Sequence, residues 1–333
     1  MILNPGKTEF DDQDHAQIVA GVKAAIASDG LTQADISRLT EVSATTLSTY
    51  LRNEYTGDRN APATKLNKWL ENRKRAAAHK QRLPVQASFV LTQDAKRMMQ
   101  RFDYALNMGR MILVGGQPGL GKSVTCRQYA ADDNRRWLAT MDKTINSVPA
   151  MLIEILEAMG EANPRGVPRD LHRKIVKKAI EAPGLIIIDE AQHLNDASIE
   201  ALRAINDSTR QAGRGVGIAI VGNDGVYARV GSTGTKAEFA QVSSRFAART
   251  WLQEPDPRDV IAISQAIADA NREIIGKAEL DYLKNVAARP GGLRNVEMTF
   301  EGALLVAIGT NQPLALEHLQ GAFHALSGIH QAA

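Results

Sequence analysis

The chain has 333 residues, enough for about two domains, or three if one is small. Lys and Arg number 40 against 37 Asp and Glu, and the formal net charge of +3 excludes neither nucleic acid nor a neutral partner. The single cysteine, Cys126, excludes an intramolecular disulfide framework and a multi-cysteine zinc site, and it fits a reducing cytosol. No apolar run approaches the roughly 20 residues needed to span a bilayer, and the first residues do not form a secretory signal, so a cytoplasmic protein is expected.

Short helices are predicted in the N-terminal zone, at residues 15–28, 33–39, 44–52 and 62–80. The second and third have the pattern of a helix-turn-helix, with Thr32 and Ser43 placed as N-caps and Glu41 at the turn position where such motifs favour glycine. The predicted core positions are Ile36, Leu39, Val42, Leu47 and Leu51. We assign residues 1–71 to a helix-turn-helix DNA-binding domain, with a three-helix protein-interaction module as the alternative.

The outward face of the later helix in this motif carries short hydroxyl side chains and one arginine. Without Asn or Gln and a second Arg for bidentate base contacts, such a face suits contacts to phosphates better than the reading of bases. The candidate DNA-binding residues on this face are Ser48, Thr49 and Arg52. Further basic candidates, Arg73, Lys74 and Arg75, lie where a helix end is predicted to run into a basic linker at residues 72–88.

Short apolar runs alternate with helical patterns between residues 89 and 254. The predicted strands are residues 111–115, 137–140, 185–189, 217–222 and 249–252. Strands separated by helices predict right-handed crossovers and an α/β fold whose parallel sheet is covered on both faces. After this zone the pattern is only helical, at residues 260–271, 278–288, 293–308 and 314–326, so residues 255–333 are expected to form a small helical bundle.

Residues 116–123 match the phosphate-binding pattern G-x-x-x-x-G-K-[ST], after an apolar strand and before a helix. Glycines let backbone N–H groups point at phosphates, and the following helix presents its positive N-terminal end. Lys122 is expected to reach the β- and γ-phosphates of ATP, and Ser123 to ligate Mg²⁺. A glycine-rich turn without nucleotide is the alternative. The predicted nucleotide-binding residues are Gly116, Gln117, Pro118, Gly119, Leu120, Gly121, Lys122, Ser123 and Val124.

Polar residues follow two of the predicted strands. Asp189 is expected to hold Mg²⁺ through water, and Glu190 to orient or deprotonate the attacking water. Asn223 follows the next strand, at the sheet edge where open α/β folds bind ligands, and is expected to position the same water. Solvated strand ends and an ordinary turn asparagine are the alternatives.

The phosphate loop, the Asp-Glu strand, Asn223, Arg245 and the run Gly-Gly-Leu-Arg at residues 291–294 together resemble the AAA+ ATPases. The resemblance implies that Asn223 is sensor 1, that Arg245 is a finger inserted into a neighbour's site, and that Arg294 is sensor 2 at the start of a lid helix. Hydrolysis would then require assembly. Surface or ion-paired arginines are the alternatives, and Arg249 is a rival finger.

Within the AAA+ group, nearly the whole chain resembles the Mu B family of phage transposition proteins, which is related to the transposon regulators TnsC and IstB. The stretches that carry the resemblance are residues 47–51, 55–58, 187–194, 222–227, 238–240, 244–246 and 290–294. The family implies an ATP- and Mg²⁺-dependent ATPase that binds duplex DNA largely without sequence specificity. It also implies helical filaments on target DNA, delivery of that DNA to a cognate transposase, and stimulation of hydrolysis by assembly, DNA and transposase.

A second basic segment lies inside the α/β zone. Arg165, Arg169, Arg173 and Lys174 recur at helical spacing and could track a phosphate backbone, although an ordinary solvated helix face would look the same. Two other functions share many of these features: an AAA+ helicase loader or replication initiator, and an ATP-switched helix-turn-helix transcription regulator. Arg245 discriminates the regulator, because a protein that switches as a monomer needs no arginine from a neighbour.

Overall fold

The computed structural model of the chain describes residues 9–81, 83–226 and 246–328. Its internal contacts divide the chain into two compact units, Met1–Leu83 and Pro84–Ala333. The helices of the first unit are α1 (Asp12–Asp29), α2 (Gln33–Thr40), α3 (Ala44–Leu51) and α4 (Asn60–Gln81). Residues 72–81, which the sequence assigns to a linker, belong to α4. In the part of the chain that is described, no helix is both long enough and apolar enough to cross a membrane.

The first unit is built from helices with well-capped starts. Thr32 accepts a hydrogen bond from the Asp35 backbone N–H, while the Asp35 carboxylate accepts from the backbone N–H of Thr32, which closes a capping box at α2. The Ser43 side chain caps α3, because it accepts a hydrogen bond from the Thr46 backbone N–H. Apolar side chains from all four helices form one buried cluster, which includes Ile18, Val22, Ile36, Leu47 and Leu66. The capping residues therefore explain where these helices begin, and the helical spacing of the apolar residues explains their shared core.

The turn between α2 and α3 forms without the glycine that such turns favour. Glu41 adopts the left-handed conformation, with φ 53°, which costs a non-glycine residue about 1 kcal/mol. The Lys65 Nζ donates a hydrogen bond of 3.0 Å to the Glu41 carbonyl and holds the turn against α4. One predicted core residue is wrong: Leu39 is 59% exposed. Leu39 lies one residue before the end of α2, where helical spacing predicts a buried side chain but the packing leaves it exposed.

The second unit contains a five-stranded parallel sheet in the order β2-β3-β4-β1-β5. The strands are β1 (Met111–Gly116), β2 (Arg136–Thr140), β3 (Leu185–Asp189), β4 (Gly217–Gly222) and β5 (Phe246–Leu252). The predicted α/β class with a parallel sheet is confirmed. β5 starts three residues before the predicted strand, because Phe246, Ala247 and Ala248 give a weaker apolar signal than a run of branched side chains.

Helices cover both faces of this sheet. The helices are α5 (Gln93–Met108), α6 (Lys122–Ala131), α7 (Val148–Ala158), α8 (Pro168–Glu181) and α9 (Asp196–Gln211). Successive strand residues point to opposite faces, so Ile186 and Ile188 pack in the cluster of α7, α8 and α9, while Ile187 packs in that of α5 and α6. Cys126 lies fully buried in the second cluster as a small core residue.

The chain after β5 is helical. It forms α10 (Pro257–Asn271), α11 (Lys277–Ala287), α12 (Gly292–Thr310) and α13 (Leu316–Ser327). Residues of all four helices share one apolar cluster, with Phe300 and Leu319 fully buried at its centre. Val90, from the segment before α5, packs against the same cluster. The segment before α5 is thereby placed beside these helices.

Candidate nucleotide-binding site

The loop between β1 and α6 has the backbone that a phosphate-binding loop requires. Gly119 and Gly121 take left-handed conformations, with φ 85° and 76°, and Gly121 caps α6. The Lys122 Nζ donates hydrogen bonds to the carbonyls of Gly116, at 2.8 Å, and Gln117, at 2.7 Å. The lysine is thus folded back over its own loop, with its charge held where a phosphate would lie.

Burial lowers the pKa of Lys122, while the carboxylates of Glu190 and Asp189 act in the opposite direction. Removing an ammonium group from water disfavours its charged form, and nearby negative charge restores it. A phosphate in the loop would add negative charge beside this ammonium. The electrostatics of the loop therefore favour an anionic ligand.

Asp189 ends β3 and is buried, at 2% exposure. Burial raises the pKa of its carboxyl, and a hydrogen bond from the Ser123 side chain offsets part of that effect. The hydroxyl of Ser123 and the carboxylate of Asp189 are hard oxygen donors, and Mg²⁺ is usually held by one or two such protein groups together with phosphate oxygens. This pair therefore fits the cation that the sequence predicts. Among the described residues there is no cluster of three or more His, Cys, Asp or Glu side chains that could hold a metal.

A cavity of about 750 Å³ brings most of the predicted site residues together. Its wall includes Pro118, Gly119, Gly121, Lys122, Ser123, Val124, Asp189, Glu190, Asn223 and Arg294. Gly116 and Gln117 contribute the carbonyls that Lys122 contacts, and Leu120 is buried beneath the loop, at 2% exposure. The volume lies within the usual range for small-ligand sites.

Sequence reasoning missed part of this cavity. Residues 86–90 and Thr92 line it, as do Ile263 and Ile267 of α10. Ala87, Phe89 and Val90 thus form an apolar part of the cavity wall together with the two isoleucines of α10. No motif marks these residues, although their position just before α5 and the unexplained apolar face of α10 were available as signals.

Gln192, also missed, connects two of the predicted catalytic residues. It lies in a short 3₁₀ turn, Ala191–His193, directly after Glu190, which has a left-handed φ of 54°. The Gln192 Nε2 donates a hydrogen bond to the Glu190 Oε2. The Gln192 Oε1 accepts a hydrogen bond of 3.3 Å from the Asn223 backbone N–H. The Asn223 Oδ1 in turn accepts from the Gly225 N–H at 2.9 Å, which fixes the start of the next turn.

The start of α12 lies directly on the phosphate loop. The Leu293 N–H donates a hydrogen bond of 2.9 Å to the Gly119 carbonyl. A Cβ built on Gly119 would lie 1.8 Å from the Gly291 carbonyl oxygen, so only glycine fits there. Arg294 follows one residue later and lines the cavity, with Glu297 one turn further on. Because the cavity walls replace water around it, the pKa of Glu297 is raised even though solvent still reaches its carboxylate.

Of the two candidate arginine fingers, Arg245 lies outside the described residues. Arg249 lies within β5 and is half-buried, opposite Leu113 of β1. Phe246, the first residue of β5, pairs with Met111 at the start of β1. The phosphate loop follows Gly116, at the other end of β1, so β5 begins at the sheet edge opposite to the loop.

The basic residues of the α/β zone are concentrated at α8. Arg165 precedes this helix, while Arg169, Arg173 and Lys174 lie on it, all four exposed. The Lys174 Nζ is 2.8 Å from the Glu161 Oε1. The other three have no ion pair to described residues within 4 Å, so their charges face solvent with little local compensation.

The candidate DNA-binding residues of the first unit are partly engaged. Thr49 donates to the Thr45 carbonyl at 3.0 Å, and the Arg52 Nε lies 3.3 Å from the Glu54 Oε2. Ser48 is half-buried on the same helix. On α4, Arg73 pairs with Asp29, and Lys74 is exposed. The side chain of Arg75 lies outside the described residues.

Family models match two parts of the chain. A model described as AAA domain matches residues 107–230, and one described as Mu B transposition protein, C terminal, matches residues 244–326. Among solved structures, the Aeropyrum pernix ORC2 protein superposes with a TM-score of 0.57 at 15% identity, covering 75% of this chain and 70% of that one. Cdc6p from Pyrobaculum aerophilum gives 0.56 at 16% identity, covering 72% and 69%. At this identity the likeness concerns the fold alone, and it confirms the AAA+ core.

Curated relatives cover almost the full length. ATP-dependent target DNA activator B of Escherichia phage Mu is 30% identical over 311 residues, which is 93% of this chain and 95% of that protein. DNA transposition protein B of the Mu-like prophage FluMu of Haemophilus influenzae is 28% identical over 284 residues, or 85% and 95%. The family resemblance read from the sequence is thereby confirmed. The chain is an AAA+ ATPase and belongs to the Mu B family of transposition proteins.

Proposed function

We propose that this ATPase binds duplex DNA in its ATP state, assembles on it as a helical filament, and delivers it as target to a transposase. The single observation that carries the proposal is the cavity that unites the phosphate loop, the Asp-Glu strand end and Arg294 in a member of this family. Its curated relative is named a target DNA activator. The proposal extends that named role to this chain.

ATP would lie with its phosphates on the loop formed by residues 116–123. Lys122 and the N–H groups at the start of α6 would bind the β- and γ-phosphates. Ser123 and Asp189 would hold Mg²⁺, which neutralises charge that develops on the transferred phosphoryl group. Glu190 and Asn223 would orient the attacking water. Arg294 would contact the γ-phosphate from the start of α12, and we propose that residues 255–333, which include α12, form a lid.

The register of β5 against β1 supports an arginine finger that acts between subunits. Arg245 directly precedes Phe246, which pairs with Met111, whereas the loop begins five residues later along β1. Five residues of strand span about 17 Å. The start of β5 is therefore remote from the phosphate loop of its own chain, and we propose that Arg245, the preceding residue in the sequence, completes the site of a neighbour. ATP would then lie at the contact between subunits.

We propose two DNA-binding surfaces, each described on its own unit. In the second unit, Arg165, Arg169 and Arg173 would follow a phosphate backbone, since they are exposed and form no ion pair with the described residues. In the first unit, α2 and α3 would act as a helix-turn-helix whose hydroxyl-rich face touches phosphates. Neither surface carries a set of amides suited to read bases, which favours binding without sequence specificity.

Electron microscopy and ATPase assays with long duplex DNA test the proposal. Filaments should form with ATP and not with ADP, and Arg245→Ala should abolish hydrolysis while nucleotide binding persists. Arg249→Ala is the matched control, because it removes the rival arginine from the same strand region. Discrete complexes at one DNA sequence would instead support a transcription regulator, and loading of a helicase ring without filaments would support an initiator or loader.

A further inference from the structure

Gln192 is placed to control the carboxylate that we propose activates water. The side chains of Glu190, Gln192 and Asn223 all line the same cavity. Gln192 donates through its Nε2 to the Glu190 Oε2, and through its Oε1 it accepts from the Asn223 N–H at 3.3 Å. One amide therefore contacts both the end of β3 and the end of β4.

The chemistry of the amide fixes its orientation. A glutamine side chain has an N–H₂ group that only donates and a carbonyl oxygen that only accepts. Glu190 offers an acceptor and the Asn223 N–H offers a donor, so only one orientation of Gln192 satisfies both. The contact to an ionised carboxylate is also of the stronger, charge-assisted kind. The side chain of Glu190 is thus held at one oxygen, and its other oxygen is left to bind water.

The neighbouring backbone leaves room for this contact. A Cβ built on Gly222 would lie 2.9 Å from the Gln192 Oε1 and 2.6 Å from a methyl carbon of Val226. Any larger residue at the end of β4 would therefore push the amide away from its present place. The left-handed φ of 54° at Glu190 starts the 3₁₀ turn that returns Gln192 to the cavity. The missing side chain at Gly222 and the left-handed conformation of Glu190 thus both favour the present position of Gln192.

We infer that Gln192 is a positioning residue, which aims the Glu190 carboxylate at the attacking water and couples it to the strand end that carries Asn223. The inference rests on the proposed role of Glu190. Loss of correct aim affects the chemical step far more than binding of nucleotide, because neither Glu190 nor Gln192 is needed to hold the phosphates.

The test uses the full chain and measures kcat for ATP hydrolysis together with the Kd for a fluorescent ATP analogue. Gln192→Glu keeps the size of the side chain and its acceptor for the Asn223 N–H, but it cannot donate to Glu190 and adds a like charge. We expect Gln192→Glu and Gln192→Ala to lower kcat by about 10- to 100-fold, with Kd changed by less than about twofold. Gln211→Ala, on the exposed end of α9, is the control.

Glu190→Gln distinguishes a failure of the proposed role of Glu190 from a failure of the inference about Gln192. If Glu190→Gln retains hydrolysis, the proposed role of Glu190 fails and the inference fails with it. If Glu190→Gln abolishes hydrolysis while Gln192→Glu keeps the normal kcat, only the inference is overturned. A rise in kcat, or a loss of ATP binding that accounts for the lower rate, would also overturn it. Should Gln192→Ala not fold, the isosteric Gln192→Glu decides.

Discussion

At the scale of single residues, Gly119 joins the phosphate loop to α12. Gly119→Ala would place a Cβ 1.8 Å from the Gly291 carbonyl oxygen, in addition to the strain of its φ of 85°. Gly121→Ala meets a comparable φ, 76°, but no atom within 4 Å. Without nucleotide, we expect Gly121→Ala to lower the free energy of unfolding by about 1 kcal/mol and Gly119→Ala to lower it by considerably more. Denaturant unfolding of both variants measures the difference, and equal losses would refute a steric role for the contact.

His15 makes the first unit sensitive to acid. Its Nδ1 lies 2.7 Å from the Tyr50 hydroxyl, and burial lowers the pKa of the imidazole while it raises that of Tyr50 to about 12. The unfolded chain binds a proton near pH 6.5, and folded His15 does so only at lower pH, so this stabilisation is complete above about pH 6.5 and is lost as the pH falls below it.

We therefore expect amide hydrogens of α1 to exchange more readily, after correction for intrinsic rates, at about pH 5.5 than at about pH 7.5. His15→Gln can still bond to the Tyr50 hydroxyl but does not titrate, so the extra pH dependence should disappear in this variant. A variant that shows the same pH dependence as the natural chain would locate the effect elsewhere.

At the scale of elements, α8 supplies the strongest prediction about DNA. Replacing Arg165 and Arg169 with Ala should weaken binding equally on unrelated sequences and reduce the slope of log Kobs against log salt by about 2, if each side chain contacts one phosphate. Lys277→Ala with Lys284→Ala removes the same charge from α11 and should leave the slope unchanged. Lys174→Ala should have a smaller effect than either arginine, because Lys174 is already paired with Glu161. A loss that depends on DNA sequence would contradict backbone tracking.

Elements were more predictable from the sequence than the contacts between them. The apolar run before Asp189 and the glycines around Lys122 act through chain-local properties, and both lie as predicted. Gln192 was not predictable, because its partner Asn223 lies 31 residues away and ordinary glutamines are common in turns. The contact of Gly119 with the turn at Gly291 depends likewise on how distant segments pack. Leu39 shows the converse error, since helical spacing predicted burial that tertiary packing does not provide.

At the scale of the whole molecule, a finger acting in trans predicts complementation. An Arg245→Ala subunit cannot supply the arginine finger to its neighbour, although its own site keeps Glu190. A Glu190→Gln subunit keeps the finger, although its own site lacks the carboxylate that activates water. Each should be inactive alone, yet an equal mixture should regain roughly one quarter of the natural rate, because that share of contacts pairs the two intact partners. Steady-state hydrolysis at a saturating protein concentration measures this. A mixture that stays inactive would show that both residues serve the same subunit.

The parallel sheet also gives such an assembly a direction. The phosphate loop lies at the carboxyl edge of β1, and β5 begins with Phe246 at the amino edge. If opposite edges meet in the assembly, every contact is head-to-tail, and a stack of subunits that does not close into a ring has two unlike ends. One end would expose nucleotide cavities and the other would expose arginines. Growth would then be polar, because an incoming subunit would meet a nucleotide cavity at one end and an arginine at the other.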